Sequence, residues 1–322
     1  MKKTFFLISI IVLSACTAPP AEIPEKSPET TIPEAPEALQ AGEIPFDYPV
    51  VQTSAEKDQI VLAPSKTTIE ELIENGRKDA ITIFYKATLY EVGPAESLVQ
   101  DQFEQTYKVP NSLIIPLETD NSVAVGDIVL TWWQGGSGMM QALVTAIDEE
   151  TGLPTVRYLD KFADQPETLA SNTFQVLNQT LTPGSRLIAF YDNNYEYATL
   201  IHQSNDQALL MGFAGFLHPA QSDNLFPLPA PADLQDLAVD DTIYVPVIGA
   251  FTEATITSLG LPNGLLTARY SFANQTLEDT FFINQIALEL PAHTPKPATP
   301  VAPVTTEEPP APTGATNILD SF

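Results

Sequence analysis

Three groups of residues in this 322-residue chain carry side chains able to do chemistry. The first is Cys16, the only cysteine, a thiol nucleophile directly after Leu13, Ser14 and Ala15. The second is a set of rings near the tips of expected β-hairpins: Trp132, Trp133 and Tyr158, then Tyr191, Tyr195, Tyr197 and Phe213. Electron-rich ring faces attract cations, each contact contributing about 0.5 to 2 kcal/mol. The third is the acids beside them, Asp192, Glu196, Asp240, Asp241 and Glu253, which together with the rings suit a basic peptide. Both sets also have a plainer reading. Alternation along a strand sends neighbours to opposite faces, so half of these rings are expected to be barrel core, with one of Trp132 and Trp133 inside and the other exposed. The acids equally read as the solvated rim of an acidic protein.

Catalytic signals are poor. Gly135-Gly136-Ser137-Gly138-Met139 departs from the nucleophile-elbow pattern at Met139 and falls in a hairpin turn rather than a strand-to-helix turn. No glycine-rich phosphate loop is present. The three histidines, His202, His218 and His293, share no metal-ligand spacing. With 41 acids in the chain, a nearby carboxylate pair says nothing about acid/base work. No cofactor is expected, and an enzyme with an unrecognised site stands as a third alternative behind two binding readings.

The start of the chain bears on compartment. Met1 to Ala15 has two lysines, an apolar run from Phe5 to Leu13 and then small residues, too short to span a bilayer but right for a secretory signal. Leu13-Ser14-Ala15-Cys16 resembles the lipobox of bacterial lipoproteins; the alternative is an ordinary cleaved signal with an incidental cysteine. The resemblance implies that the Cys16 thiol is diacylated and becomes the new N-terminus. Thr17 rather than Asp after it implies the outer membrane, with the protein facing the periplasm. Each buried acyl CH₂ contributes about 0.8 kcal/mol, so several chains anchor a protein without a spanning helix.

Loss of Met1 to Ala15 removes Lys2 and Lys3 and no acid, taking the formal charge from −27 to −29 (−27 − 2). So acidic a surface repels nucleic acid and anionic headgroups, and no nucleic-acid partner is expected. Residues 16–49 and 291–322 are rich in Pro, Glu, Thr and Ala and are expected to be disordered, since they cannot bury enough apolar surface to offset chain entropy. Residues 317–322 read as a frayed end or a short peptide tag.

The region between them alternates apolar and polar residues between turn signals, which predicts an all-β fold. Thr67 to Asn75 is the exception, a predicted two-turn helix with Thr67 as N-cap and Gly76 just beyond. An internal repeat organises the rest. Gly126, Gly184 and Asp241 open equivalent strands, and Ala142, Ala198 and Ala254 hold equivalent places in the next strand. Bulky Met139, Tyr195 and Phe251 stand three residues before each alanine; Val144, Leu200 and Ile256 stand two after. Third strands end at Arg157-Tyr158, Gly212-Phe213 and Arg269-Tyr270. The ring pair Trp132-Trp133 corresponds to Phe190-Tyr191 and Val247-Ile248. A degenerate copy comes first, with Ala87 in its second strand and its first strand compressed into Ala80–Phe84; the alternative is a lead-in strand completing the next barrel.

Units with a bulky residue near a hairpin tip and an alanine in the return strand resemble Tudor-like and Agenet-like SH3-type barrels. A core this small needs an alanine where strands cross closely. The resemblance covers residues 124–290 and implies three or four tandem barrels. The expected boundaries are 50–120 (short helix and degenerate copy), 121–179, 180–234 and 235–290, with expected core residues Val129, Val144, Leu187, Leu200, Tyr244 and Ile256. In the Tudor family such rings form a cage for methylated cations, but a ligand does not travel with a fold. The expected function is therefore that of a non-enzymatic, lipid-anchored envelope protein whose barrels bind a protein or peptide. A peptidoglycan-binding SH3-type module is the alternative.

Overall fold

The computed structural model describes residues 48–292, apart from 119–121, 134, 137, 162, 164 and 178–180. The signal segment, Cys16, Ser137, His293 and all of both tails except residues 48, 49, 291 and 292 lie outside the described residues. What is described is all-β but for one short helix, and it is built from one five-strand pattern used four times.

In the first barrel, β1 (Ile60–Pro64), β2 (Phe84–Glu91), β3 (Glu96–Asp101) and β4 (Thr106–Pro110) form an antiparallel meander. The two-residue β5 (Ile115–Pro116) returns to the free edge of β1, giving the order β4-β3-β2-β1-β5. In the second, β6 (Ile128–Trp132), β7 (Met139–Ile147), β8 (Pro154–Tyr158), β9 (Glu167–Thr168) and β10 (Gln175–Val176) repeat that order. The third repeats it with β11 (Arg186–Tyr191), β12 (Asn194–Ser204), β13 (Gln207–Gly212), β14 (Leu217–Gln221) and β15 (Leu225–Pro227). The fourth has β16 (Thr242–Val247), β17 (Ala250–Gly260), β18 (Leu265–Phe272) and β19 (Gln275–Phe282), and a Tyr244–Ala287 bridge stands in for the closing strand. This is an SH3/Tudor-like barrel topology in tandem.

The alanines mark equivalent places. Val61 pairs with Ala87, Val129 with Ala142, Leu187 with Ala198 and Ile243 with Ala254, and all four alanines are buried. Each second strand then carries a β-bulge at the same offset, skipping Tyr90, Thr145, Ile201 and Thr257. A bulge bends and coils a strand. One long strand can thus pair with the first strand near its start and the third beyond it, which curls a meander into a barrel. The lead-in turns repeat as well: the N–H of Glu56, Ala124, Thr182 and Ala238 donates to the side chain three residues on, at Gln59, Asp127, Ser185 and Asp241. Asp58, Gly126, Gly184 and Asp240 sit between with positive φ. The residue in register with the two glycines is therefore Asp240, one before the expected Asp241.

The degenerate first copy is a complete barrel, and its first strand is β1 rather than Ala80–Phe84. The helix explains the displacement. Ser65 caps α1 (Lys66–Ile69), its Oγ accepting from Thr68 N at 3.2 Å, and a wider π-type turn continues through Glu70–Glu74 before Gly76 ends it with φ 62°. This insertion lies between β1 and β2, where the other barrels have a short hairpin, and Ser65 takes the capping place expected for Thr67.

Each barrel has its own small core: Val129, Val144, Tyr158 and Phe174 in the second, Leu187, Leu200, Leu210 and Leu225 in the third, Ile243, Ile256, Leu266 and Phe281 in the fourth. Tyr244, expected in a core, is only half-buried because alternation along β16 turns Ile243 and Val245 inward instead. Cores of this size are marginal alone, and the outer faces of the strands supply more burial. Leu130 and Trp132 on β6, with Ile201, Leu209 and Leu217 of the third barrel, join one cluster with the core of the first.

The barrels dock in pairs. Just past its hairpin turn the second barrel bridges through Gly138 to Tyr85 on β2, and the fourth pairs through Ala250 with Glu196 on β12. Tyr85 and Glu196 each stand two residues before the marker alanine of their barrel, and Gly138 and Ala250 four before theirs. One docking geometry is used twice. A buried amide network ties the pairs together: Gln141 Nε2 donates to Gly184 O at 2.7 Å, Asn284 Nδ2 to Gln141 Oε1 at 2.8 Å and Tyr197 Oη to Asn284 O at 3.3 Å.

Candidate functional site

The rings expected at the surface separate sharply. Trp132 is buried between the first two barrels, with Lys86 Nζ 5.1 Å from its ring centroid. Trp133 is half-buried and lies across its own turn, where a Cβ on Gly136 would come within 2.5 Å of the indole; neither tryptophan is fully exposed. Tyr158 is in the core of the second barrel, the single proton of its hydroxyl shared between Glu167 and Trp132 O, the latter at 3.1 Å. Tyr197 is buried between the third and fourth barrels, under the Arg186 guanidinium at 5.3 Å and edge-on to Phe251. Tyr195 packs edge-on against Phe190 and donates to Pro291 O, fastening the end of the described chain. Tyr191 and Phe213 remain exposed, and both belong to the third barrel.

Register explains Phe213. Ala142 pairs with Tyr158 and Ala254 with Tyr270, but Ala198 pairs with Gly212. Phe213 is therefore one residue past the position of Tyr158, and a one-residue step reverses the face.

Around these two rings the structure assembles residues from three barrels. Tyr191 packs against His218 at 4.8 Å with the rings tilted by 44°, and His218 lies on β14, the strand after the turn that carries Phe213 and exposed Phe216. Burial pushes the His218 imidazole down, partly offset by a hydrogen bond with the Phe216 backbone. Gly215 O accepts from Thr82 N at 2.8 Å, and a Cβ on Gly215 would touch Ile81; Ile81 and Ile83 are exposed there. On the other side, a Cβ on Gly249 would stand 3.0 Å from Phe213 Cβ, which brings the β16–β17 turn and Ile248 alongside. Sequence reasoning missed Phe216, Ile81 and Ile83.

Ile248 is unusual on two counts. It is 69% exposed and has φ 51°. The turn is the two-residue, positive-φ kind that favours Asn-Gly, as Asp192-Asn193 and Ala273-Asn274 illustrate in part at the two other such hairpins. A β-branched residue is the poorest choice there, and left-handed backbone costs an L-residue about 1 to 2 kcal/mol. Strain of this kind tends to persist where a side chain is needed for function. The Val247-Ile248-Gly249-Ala250 sequence carries that signal.

Two carboxylates edge the surface. Asp192 lies in the β11–β12 turn and Glu196 four residues on, half-buried. Burial, reinforced by the Asp192 charge, holds the Glu196 carboxyl above the usual carboxylate range. Among the described residues no lysine, arginine or histidine forms an ion pair with either. Asp240 and Asp241 are not part of this edge: they lie at the base of the β16–β17 hairpin, where Asp240 N donates to Ile256 O and Asp241 Oδ2 accepts from Ala238 N. Glu253 pairs with Tyr244, partway along that hairpin. Apolar anchors beside unpaired negative charge are suited to holding a cation carried on an apolar chain. Among the described residues no group of three His, Cys, Asp or Glu is placed to hold a metal ion.

No protein-family model matches this chain, and no curated protein matches it. Among solved structures it is similar to tandem Agenet domains 3-4 of ADCP1, with 11% identity and a TM-score of 0.21, over 44% of this chain and 86% of that one. It is also similar to the AGD34 segment of Arabidopsis thaliana AGDP1, with 13% identity and a TM-score of 0.21, over 44% of this chain and 88% of that one. Likeness of that degree has no bearing on function.

Proposed function

We propose that this is a non-enzymatic binding protein of a bacterial envelope, held on the outer membrane by acylated Cys16, that docks a polypeptide segment on its third barrel. The observation that carries the docking reading is the exposed surface of Tyr191, Phe213, Phe216 and Ile248 beside the unpaired Asp192 and Glu196. An exposed apolar patch of this kind marks an interaction site, and the charge selects the partner: a segment with an apolar anchor flanked by lysine or arginine. A bound cation favours ionised Glu196. Because that carboxyl starts above its usual range, binding releases protons and strengthens as pH rises through its titration.

Ile248→Asn tests the surface without endangering the fold, since it creates an Asn-Gly turn. The variant is expected to be more stable by about 1 kcal/mol in urea unfolding. It should nonetheless bind a synthetic leucine- and lysine-containing peptide about tenfold more weakly in a fluorescence titration, and to lose the adducts that crosslinking in intact envelopes gives with the native chain. Unchanged peptide affinity together with unchanged adducts would reject the surface. The anchor has a separate test. Cys16→Ser is expected to move the protein from the membrane pellet to the soluble fraction; retention in the pellet would reject acylation there.

A further inference from the structure

A second site, sharing no residue with the docking surface, lies where the first three barrels meet. A cleft of about 850 Å³ opens between the segment 52–59, the ends of β5 and β10 and the entry to β11. That volume lies within the range of small-ligand sites, about 300 to 1,000 Å³. Of the fifteen described residues that line it, twelve carry polar side chains, the exceptions being Ile114, Pro116 and Pro183.

The neutral groups are deepest. Gln175 is 6% exposed, lines the cleft, and among the described residues no hydrogen bond takes up its carboxamide. Neither amide atom is both buried and unpaired, so the carboxamide opens onto the cleft and presents a donor and an acceptor to it. His202 also lines the cleft, with Nδ1 2.9 Å from Tyr48 Oη. Burial pushes the His202 imidazole down and the Tyr48 phenol up, so both are neutral near pH 7. In the tautomer whose Nδ1 accepts from the phenol, Nε2 carries the ring proton and is a neutral donor; in the other, Nε2 is a neutral acceptor. The Thr182 hydroxyl, 3.2 Å from Ser185 Oγ, adds a group that both donates and accepts. Charge is confined to Glu56, Lys57, Asp58 and Glu118.

This chemistry removes several occupants. Three carboxylates against one lysine repel phosphates and nucleotides. An added β-strand finds no ladder, because β5 and β10 have two residues each and β5 ends in Pro116, which has no N–H. What matches is a neutral ligand dense in groups that donate and accept at once. We infer that the cleft binds a saccharide of N-acetylated hexosamines, the acetamido N–H and C=O pairing with the Gln175 carboxamide and ring hydroxyls meeting His202 and Thr182.

Titration of the full chain with the tetramer of N-acetylglucosamine, followed by amide NMR and calorimetry, tests this. Shifts are expected in the segment 52–59, at Gln175 and at Thr182. Gln175→Glu keeps the shape but replaces the amide donor with a charge, and should weaken binding at least tenfold; Ile248→Asn should leave it unchanged. Absence of shifts at millimolar sugar, affinity unaltered by Gln175→Glu, or equal binding of cellotetraose, which lacks acetamido groups, would each overturn the assignment. So would the same shifts produced by the leucine- and lysine-containing peptide.

Discussion

Phe84→Ala is expected to destabilise the protein by about 3 to 5 kcal/mol. Phe84 is 1% exposed, opens β2 opposite Pro64, and stands three residues before Ala87, where Met139, Tyr195 and Phe251 stand in the other barrels. It lies in the large buried cluster that joins the core of the first barrel to Trp132 and to the third barrel, and truncation leaves a cavity there. Chemical denaturation should show the loss, and hydrogen exchange should place it in residues 60–116, with the fourth barrel nearly unaffected. Were this strand only a lead-in laid on the second barrel, truncation would cost well under 2 kcal/mol, and added exchange would appear around β6 and β7 instead.

The second large effect is expected at Gln141→Leu, a change of similar volume. Gln141 is 6% exposed, yet it donates to Gly184 O of the third barrel and accepts from Asn284 of the fourth. Leucine leaves that carbonyl and that amide unmatched, at about 1 to 3 kcal/mol each, so a total of about 2 to 5 kcal/mol is expected. Asn284 Oδ1 and Arg186 Nε already have no partner among the described residues there, beside a pocket of about 60 Å³. The diagnostic outcome is loss of cooperativity: one calorimetric transition should become two as the barrels uncouple. A single transition shifted by less than 1 kcal/mol would mean the network does not couple them.

The sequence carries the fold class plainly because the constraints on it are local. An alanine where strands cross, a bulky residue three before it and a turn residue ahead of the first strand survive in all copies. The first strand of the first barrel escaped notice for a physical reason. Its paired residues Val61 and Ala87 are 26 apart (87 − 61), against 13 for Val129 and Ala142 (142 − 129) and 11 for Leu187 and Ala198 (198 − 187). The helix inserted at Lys66–Ile69 breaks the spacing while leaving the pairing intact.

The proposed docking surface was legible only in part. Period-two alternation separates two faces but does not say which is covered by a neighbouring barrel. Trp132 and Tyr197 point away from their own cores and are buried all the same, against the first and fourth barrels. Phe213 looked like the counterpart of Tyr158 until the pairing of Ala198 with Gly212 set it one step further on. Ile81 and Ile83 lie in the insertion, where no repeat position exists to compare. The cleft at Gln175 and His202 is formed by segments more than 100 residues apart, and nothing local announces it.

The repeated docking of Gly138 on Tyr85 and of Ala250 on Glu196 bears on valence. Seated on their neighbours, the tips of the second and fourth barrels are not free to close over ligands of their own barrels. In the second pair the seated tip instead brings Ile248 beside Phe213, so the surface at the third barrel is a composite of two copies. An array that looks quadrivalent in sequence is therefore, for any partner entering at a hairpin tip, organised as two docked pairs rather than four independent mouths.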